Sequence, residues 1–200
     1  MLRQLVATII LLAFYVLPAQ ALTVIPLDLT ELHKQAKHIS FAECISNQTE
    51  MDAQHNMVVT YTTFSIMEHV KGSRQQTITI KQIGGKMPDN GPALSIPGVP
   101  SFNVGEKYLL FIPPKSQLGF SSPVGISQGV FRTLNDTSGN TYVTNGRETA
   151  DLMGNMRERA MPEAAKSVIE KTLSKNAARP NQMLLGDMLT VLRNMQGAQQ

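Results

Sequence analysis

The chain has 200 residues, of which 42% are hydrophobic and 16% are charged, and its formal net charge at pH 7 is +3. The apolar fraction is large enough to build a core, which argues against an intrinsically disordered chain. The net charge is small and the Lys and Arg residues form no stripe, so we do not expect a nucleic-acid-binding protein.

The N-terminus has the three parts of a secretory signal peptide. Arg3 gives a positive start, residues 5–17 are almost wholly apolar, and residues 18–21 (Pro-Ala-Gln-Ala) carry the small residues that signal peptidase accepts. This apolar run is shorter than the roughly 20 residues that a membrane-spanning helix needs. We therefore expect residues 1–21 to be a signal peptide. The mature chain would be exported, to the periplasm or outside the cell, with no membrane span.

The first predicted elements are a short helix and a β-hairpin. Residues 28–38 have apolar positions at helical spacing, and from Ile39 the period changes towards two. Residues 76–83 alternate again and pair with the preceding strand. That preceding strand, residues 57–70, is rich in β-branched residues, and its alternation predicts one face made of Val58, Thr60, Thr62, Phe64, Ile66 and Val70.

A long loop follows this hairpin. Gly84-Gly85 ends the strand, and we expect at least one of the two glycines to have a positive φ. Residues 86–99 contain three prolines and no strand or helix signal. Loops of this length are usually functional or mobile, so this segment is the first choice for a partner-binding region.

The next strands form the predicted centre of the sheet. Residues 107–112 are apolar on both faces, which predicts a strand in a barrel or sandwich, or beneath a covering helix. Residues 124–133 are predicted as one strand with a face of small residues, Gly125, Ser127 and Gly129. Residues 136–140 are predicted as a hairpin turn before a short strand over residues 141–144.

The C-terminal part, residues 147–200, has little β signal. Helices are predicted over residues 162–175, with Pro162 in the first turn, and over residues 181–195. In the second helix an apolar face either packs on the domain or associates with another copy of the chain. This face consists of Leu184, Met188, Val191 and Met195.

No residue pattern supplies a recognisable reaction centre. His33 and His38 are five positions apart, which does not match the i, i+4 spacing of zinc-binding helices, and HExxH and CxxC motifs are missing. Gly125-x-Ser127-x-Gly129 matches the pattern of α/β hydrolases, but a strand continues where a helix should start. We therefore expect no catalytic residue, no metal ligand and no cofactor.

Cys44 is the only cysteine, so an exported chain can form no internal disulfide. It lies in an apolar, strand-like run, where a buried thiol acts as a small hydrophobic residue. The alternatives are a nucleophile or an intermolecular disulfide.

One set of residues between positions 30 and 133 has a specific joint spacing. It comprises Leu32, Ala36 and Ile39, then Tyr61-Thr62 with Phe64 and Ile66 before Val70-Lys-Gly72, Gly84-Gly85, Gly98-Val-Pro-x-Phe102-x-Val-Gly-Glu106-x-Tyr-Leu-Leu-Phe111, Val124-Gly125, and Gln128-Gly-Val-Phe131. In these residues the chain resembles an uncharacterised family of exported bacterial proteins. The resemblance implies a small β-barrel of OB-like character and brings no established activity.

Together these features predict a mainly β protein: a signal peptide (1–21), a small antiparallel OB-like barrel with an N-terminal helix (22–146), and a helical C-terminal extension (147–200). The expected function is an exported, non-enzymatic binding module whose partner is a protein or an extended polymer. Its expected contact residues are Gly84, Gly85, Lys86, Pro97, Phe102, Glu106 and Gln128. The alternatives are a hydrolase that uses Cys44 or Glu106, and a self-associating structural protein of the cell envelope.

Overall fold

A computed structural model describes residues 25–154, 163–175 and 178–197. The predicted signal peptide and cleavage site lie outside these residues. In chain order the elements are α1 (Leu29–Gln35), β1 (His38–Asp52), β2 (Met57–Lys71), β3 (Thr77–Ile83), β4 (Gly85–Lys86), β5 (Ala93–Leu94), β6 (Lys107–Ile112), β7 (Val130–Asn135), β8 (Thr141–Thr144), α2 (Thr149–Met153), α3 (Glu163–Lys175), β9 (Met183–Leu184) and α4 (Leu185–Gly197).

The protein is mainly β, as predicted. Seven strands form one antiparallel sheet in the order β3-β2-β1-β6-β7-β8-β9, and β4 and β5 form a small hairpin beside it. The most extensive pairing joins β1 and β2, which have 15 residues each. The predicted strands at residues 107–112 and 141–144 are confirmed at those bounds.

The sheet does not close into a barrel, because no described strand joins β3 to the opposite end of the sheet. One residue bridges part of the gap. The backbone N–H of Ser121 donates to the carbonyl of Lys81 at 3.1 Å, and the N–H of Lys81 donates to Ser121 Oγ at 3.4 Å. The connection between β6 and β7 therefore reaches the outer edge of β3 at a single point, where the predicted barrel requires a ladder of strand pairs.

Both faces of the sheet are covered. The helix-side core combines one sheet face with the helices: Leu29, Leu32, Ala36, Ile39, Phe41, Val70, Leu109, Phe111, Val124, Phe131, Val143, Leu152, Met153, Ile169, Met183, Met188, Leu189, Val191, Leu192 and Met195. The loop-side core lies on the other face: Ala42, Cys44, Phe64, Ile78, Ile80, Phe102, Tyr108, Leu110, Ile112 and Val130. Alternate residues of β6 enter the two cores, which explains why this strand is apolar on both faces.

A register shift in the pairing of β1 and β2 reverses the side-chain alternation near the end of β2. The register of β1 and β2 shifts between Phe41 and Ala42, which pair with Glu68 and Ile66. A bulge of this kind reverses the alternation of the residues that follow it. Val70 consequently belongs to the helix-side core, and its predicted position on one face with Phe64 is wrong.

The segment before β7 is not a strand. Residues 124–129 form turns, with positive φ at Gly125 (60°) and Ile126 (65°), and the strand begins only at Val130. The prediction of one strand over residues 124–133 with a small-residue face is therefore wrong. Gly129 does allow a close approach, because a Cβ there would lie 2.9 Å from the carbonyl oxygen of Val124.

The C-terminal segment belongs to the same sheet and core as the rest of the chain. β9 pairs with β8, so residues 183 and 184 form a short strand where a helix is predicted, and α4 starts at Leu185. Met188, Val191 and Met195 are buried in the helix-side core, whereas Leu184 is half-buried in β9. The described helices include none with the length and apolar character that a membrane crossing requires.

Candidate functional site

A cavity of about 440 Å³ lies between the long loop and the polar end of the β1-β2-β3 sheet. We call it the loop cavity. Its size is in the range of small-molecule and side-chain binding pockets. It is lined by Asn47, Thr49, Thr60, Thr62, Gln82, Ile83, Gly84, Gly85, Lys86, Ala93, Leu94, Ser95, Ile96, Val99, Pro100, Ser101 and Phe102.

Three hydroxyl and carbonyl groups connect the floor of the loop cavity to the start of the loop. Thr49 Oγ1 and Thr60 Oγ1 lie 3.0 Å apart within hydrogen-bond distance, and Thr60 Oγ1 donates to the carbonyl of Gly84 at 2.7 Å. The N–H of Gly84 donates to the carbonyl of Val58 at 2.8 Å. The chain is therefore tied to the sheet at the point where β3 ends.

Both glycines at this point are required by geometry. Gly84 and Gly85 have φ values of +91° and +135°, which confirms the predicted positive φ. A Cβ on Gly85 would lie 2.2 Å from Thr60 Oγ1, and one on Gly84 would lie 2.6 Å from the carbonyl oxygen of Leu94. Only glycine combines this backbone conformation with such a close approach.

The other end of the loop is held by an aromatic anchor. The ring of Phe102 makes edge-to-face contacts with Phe64 and Tyr108, at centroid distances of 5.0 and 5.1 Å. Asn47 Nδ2 donates to the carbonyl of Phe102 at 2.6 Å, and Gln82 Nε2 donates to that of Pro100 at 3.4 Å. The loop is thus fixed at both ends, with a space left beneath its middle.

The lining offers apolar surface with few charges. Lys86 is the one charged residue among those that line the loop cavity, and it is exposed at the entrance. Thr62, which is 1% exposed, places a hydroxyl-bearing side chain among the lining residues. This arrangement suits a ligand group that is apolar with one or two hydrogen-bonding atoms.

The predicted contact residues divide into two groups. Gly84, Gly85, Lys86 and Phe102 come together around the loop cavity. Pro97 is exposed on the same loop and does not line the cavity.

Glu106, a predicted contact residue, lies outside the loop cavity and is exposed. Its Oε2 accepts a hydrogen bond from the Tyr108 hydroxyl at 2.6 Å, and that hydroxyl accepts one from the N–H of Asn103 at 3.0 Å. The bond from Tyr108 is the main cause that lowers the pKa of Glu106, whereas burial is the main cause that raises the pKa of Tyr108 to about 12. A carboxylate held ionised in this way is not suited to act as a general acid near neutral pH.

Gln128, the last predicted contact residue, holds the N-terminal segment in place. Its Oε1 accepts from the N–H of Leu27 at 2.8 Å, and its Nε2 donates to the carbonyl of Ile25 at 3.0 Å. Its own carbonyl accepts from Asn145 Nδ2 at 2.9 Å. This geometry matches a structural amide that joins three segments of the chain.

Cys44 is fully buried in the loop-side core. Its Sγ lies 3.9 Å from the carbonyl of Ser46 and from Asn47 Oδ1, and burial is the largest of the causes that raise its pKa. A buried thiol with a raised pKa is a poor nucleophile.

The polar floor of the loop cavity is the part that sequence reasoning missed. The alternation of β2 predicts Thr60 and Thr62 on one face with Val58 and Phe64, and Gln82 follows two inward isoleucines on β3. Polar residues in place of apolar ones at consecutive inward positions are a signal of a cavity or an unfilled site. The sequence therefore contained this information, but not the strand register that brings the residues together.

Among the described residues, no group of three or more His, Cys, Asp or Glu side chains is placed to bind a metal ion. Comparisons of the chain with protein-family models, with curated proteins and with solved structures gave no match.

Proposed function

We propose that the protein is an exported, non-enzymatic binding module that holds a segment of a protein or of an extended polymer in the loop cavity. The observation that carries this proposal is the cavity itself: a space of about 440 Å³ beneath a loop that is fixed at both ends. A fixed loop loses little conformational entropy when a partner binds.

The chemistry of the lining supports a partner with apolar and hydrogen-bonding groups. Ile83, Leu94 and Ile96 offer apolar contacts, and Thr62 offers a hydroxyl. The single lysine at the entrance adds one positive charge. A side chain or sugar-like group carried by a longer chain fits this combination, since the rest of that chain can continue past the entrance.

We also propose that the fold is related to OB-like barrels and that the protein is exported. The hydrogen bond from the Ser121 N–H to the Lys81 carbonyl, which links the β6–β7 connection to the edge of β3, supports the proposed OB-like relation. The composition of residues 1–21 supports export. The hydrolase alternative gains no support from Cys44, which is buried, or from Glu106, whose carboxylate is held by Tyr108.

The test is site-specific photo-crosslinking in the compartment to which the protein is exported. A photoreactive residue replaces Ser95, which is exposed and lines the loop cavity, and in a control chain it replaces Ser138 in the β7–β8 turn, which is exposed and remote from the cavity. We expect a defined adduct from position 95 and none of the same mass from position 138. The same adducts from both positions, or none from position 95, would count against the proposal.

A further inference from the structure

A second cavity, of about 340 Å³, occupies the gap where the sheet fails to close. We call it the seam cavity. It lies at the first residues of β3, whereas the loop cavity lies at the last residues of the same strand. The seam cavity is lined by Lys37, His38, Gln75, Thr77, Ile78, Thr79, Ile112, Pro113, Pro114, Lys115 and Ser121.

All ionisable side chains that line the seam cavity are basic. Lys37 and Lys115 bring two ammonium groups from different segments of the chain, and His38, the first residue of β1, lines the same cavity. No Asp or Glu is among the lining residues. The pKa of His38 is lowered by burial first and then by the nearby charges of Lys37 and His69, in keeping with an excess of positive charge here.

The open edge of β3 adds uncharged donors. The N–H and carbonyl of Lys81 face Ser121, away from β2, and in an antiparallel strand every second residue faces the same way. The backbone N–H groups of Thr77 and Thr79 therefore point towards the seam cavity, and no described residue accepts a hydrogen bond from them on this side.

Ser121 contributes one more donor. It is 3% exposed, and its Oγ accepts the long 3.4 Å bond from Lys81 without using its own proton. The hydroxyl proton is then available to a group in the cavity. Buried hydroxyls and backbone N–H groups beside ammonium groups are the elements that hold oxyanions in proteins.

We infer that the seam cavity binds a phosphate group, held by Lys37 and Lys115 and by the N–H and O–H donors of the β3 edge. Lys115 directly follows Pro113 and Pro114, whose rings restrict the backbone there, and it lines the same cavity as Lys37. The cavity is large enough for a phosphate that belongs to a larger molecule. This inference is independent of the proposed function, because the two cavities share no lining residue.

The test is calorimetric titration of the full mature chain at low ionic strength and neutral pH with two probes, inorganic phosphate and glycerol 3-phosphate. The chains compared are wild type, Lys37→Gln with Lys115→Gln, and a control, Lys107→Gln with Lys171→Gln. The control removes the same net charge from exposed positions outside the cavity. Since the substitutions are at the surface, all three chains should unfold at the same temperature.

We expect saturable binding to wild type and an apparent Kd raised about tenfold or more in the cavity variant, because charged hydrogen bonds are lost. The control should bind as wild type does. Tighter binding of the monoester would show that the phosphate belongs to a larger molecule, and tighter binding of inorganic phosphate would identify the free ion. Absence of saturable binding of either probe, or equal weakening in both variants, would overturn the inference.

Discussion

At the scale of single residues, His33 links folding to pH. It is fully buried in α1, neither ring nitrogen has a hydrogen-bond partner among the described residues, and Lys71 Nζ donates to its carbonyl at 2.5 Å. Burial, and secondarily the charge of Lys71, lower the pKa of His33 to about 4. In the unfolded chain the pKa of His33 is about 6.5. Between pH 6.5 and pH 4, His33 is therefore protonated in the unfolded chain but neutral in the folded one.

The contribution of His33 to the free energy of unfolding is therefore largest above about pH 6.5, where the side chain is neutral in both states. It falls as the pH decreases towards 4, because protonation then stabilises the unfolded chain. We expect His33→Leu to be as stable as wild type or more stable at pH 7, because two unpaired polar atoms are removed. Between pH 7 and pH 5 the wild type should lose about 2 kcal/mol more than the variant. Urea unfolding at the two pH values measures this difference, and parallel pH dependence of both chains would contradict it.

Gly84 is a second residue whose role can be isolated, because Gly139 provides a matched control. The two glycines have similar φ values of +91° and +81°, but only at Gly84 would a Cβ meet another atom, the carbonyl oxygen of Leu94 at 2.6 Å. Gly139→Ala should cost about 1–2 kcal/mol from backbone conformation alone. Gly84→Ala should lower the free energy of unfolding by clearly more than Gly139→Ala does. Equal midpoints in thermal unfolding would contradict this, because they would show that the loop can move away from the added Cβ without loss of stability.

At the scale of elements, the loop over residues 85–102 depends on Phe102. Its ring fills the loop-side core between Phe64 and Tyr108 and is 6% exposed. Phe102→Ala should cost about 3–5 kcal/mol, the usual range for a buried Phe. The loop should then be cut sooner than the rest of the chain in limited proteolysis.

The control for this prediction is Leu134→Ala on β7, where the side chain is 42% exposed. It should change stability by less than about 1 kcal/mol and leave the loop protected. A Phe102→Ala chain with wild-type protection would mean that the hydrogen bonds from Asn47 and Gln82 alone hold the loop.

The elements with strong local patterns could be predicted from the sequence. The predicted bounds of β6 and β8 are the observed ones. α1 begins after Asp28, whose side chain accepts a hydrogen bond from the N–H of Glu31 in a capping box. The failures have a common cause. The turn at residues 124–129 and the two-residue strand β9 have compositions that allow other structures, and only pairing and packing elsewhere in the chain decide between them.

The sequence also predicts only part of the candidate site, because some of its residues come together only through strand pairing. Gly84, Gly85 and the loop are visible as local signals, whereas the floor depends on the register of three strands. Glu106 and Gln128 are predicted as contact residues because each is a polar residue beside an apolar strand. The partner of Glu106 is the hydroxyl of Tyr108, only two residues along the chain. The amide of Gln128 instead bonds to backbone groups of Leu27 and Ile25, which lie 101 and 103 residues earlier. Sequence spacing alone does not show such partners.

At the scale of the whole molecule, the Met-rich face of α4 completes the core of its own chain. Val191 is fully buried in the helix-side core, whereas Thr190 beside it is exposed. Val191→Asp should therefore unfold the protein, because a charge cannot be buried there without a partner. Thr190→Asp should stay folded.

Sedimentation and circular dichroism of both variants distinguish packing of this α4 face in the core of its own chain from self-association through α4. If Val191→Asp stayed folded and only lowered the sedimentation coefficient of an oligomer, the face would be an interface between copies. The predicted self-association concerns this face of Leu184, Met188, Val191 and Met195, and sedimentation of the wild-type chain tests it.

The proposed partner binds in the loop cavity. The most direct measurement is the affinity of the partner identified by crosslinking for wild type, Ser95→Trp and Ser138→Trp. Both serines are exposed, so both variants should fold, but only the indole at position 95 would block the entrance. We expect at least about a hundredfold weaker binding to Ser95→Trp, equivalent to roughly 3 kcal/mol, and unchanged binding to Ser138→Trp. Equal affinity for all three chains would contradict it.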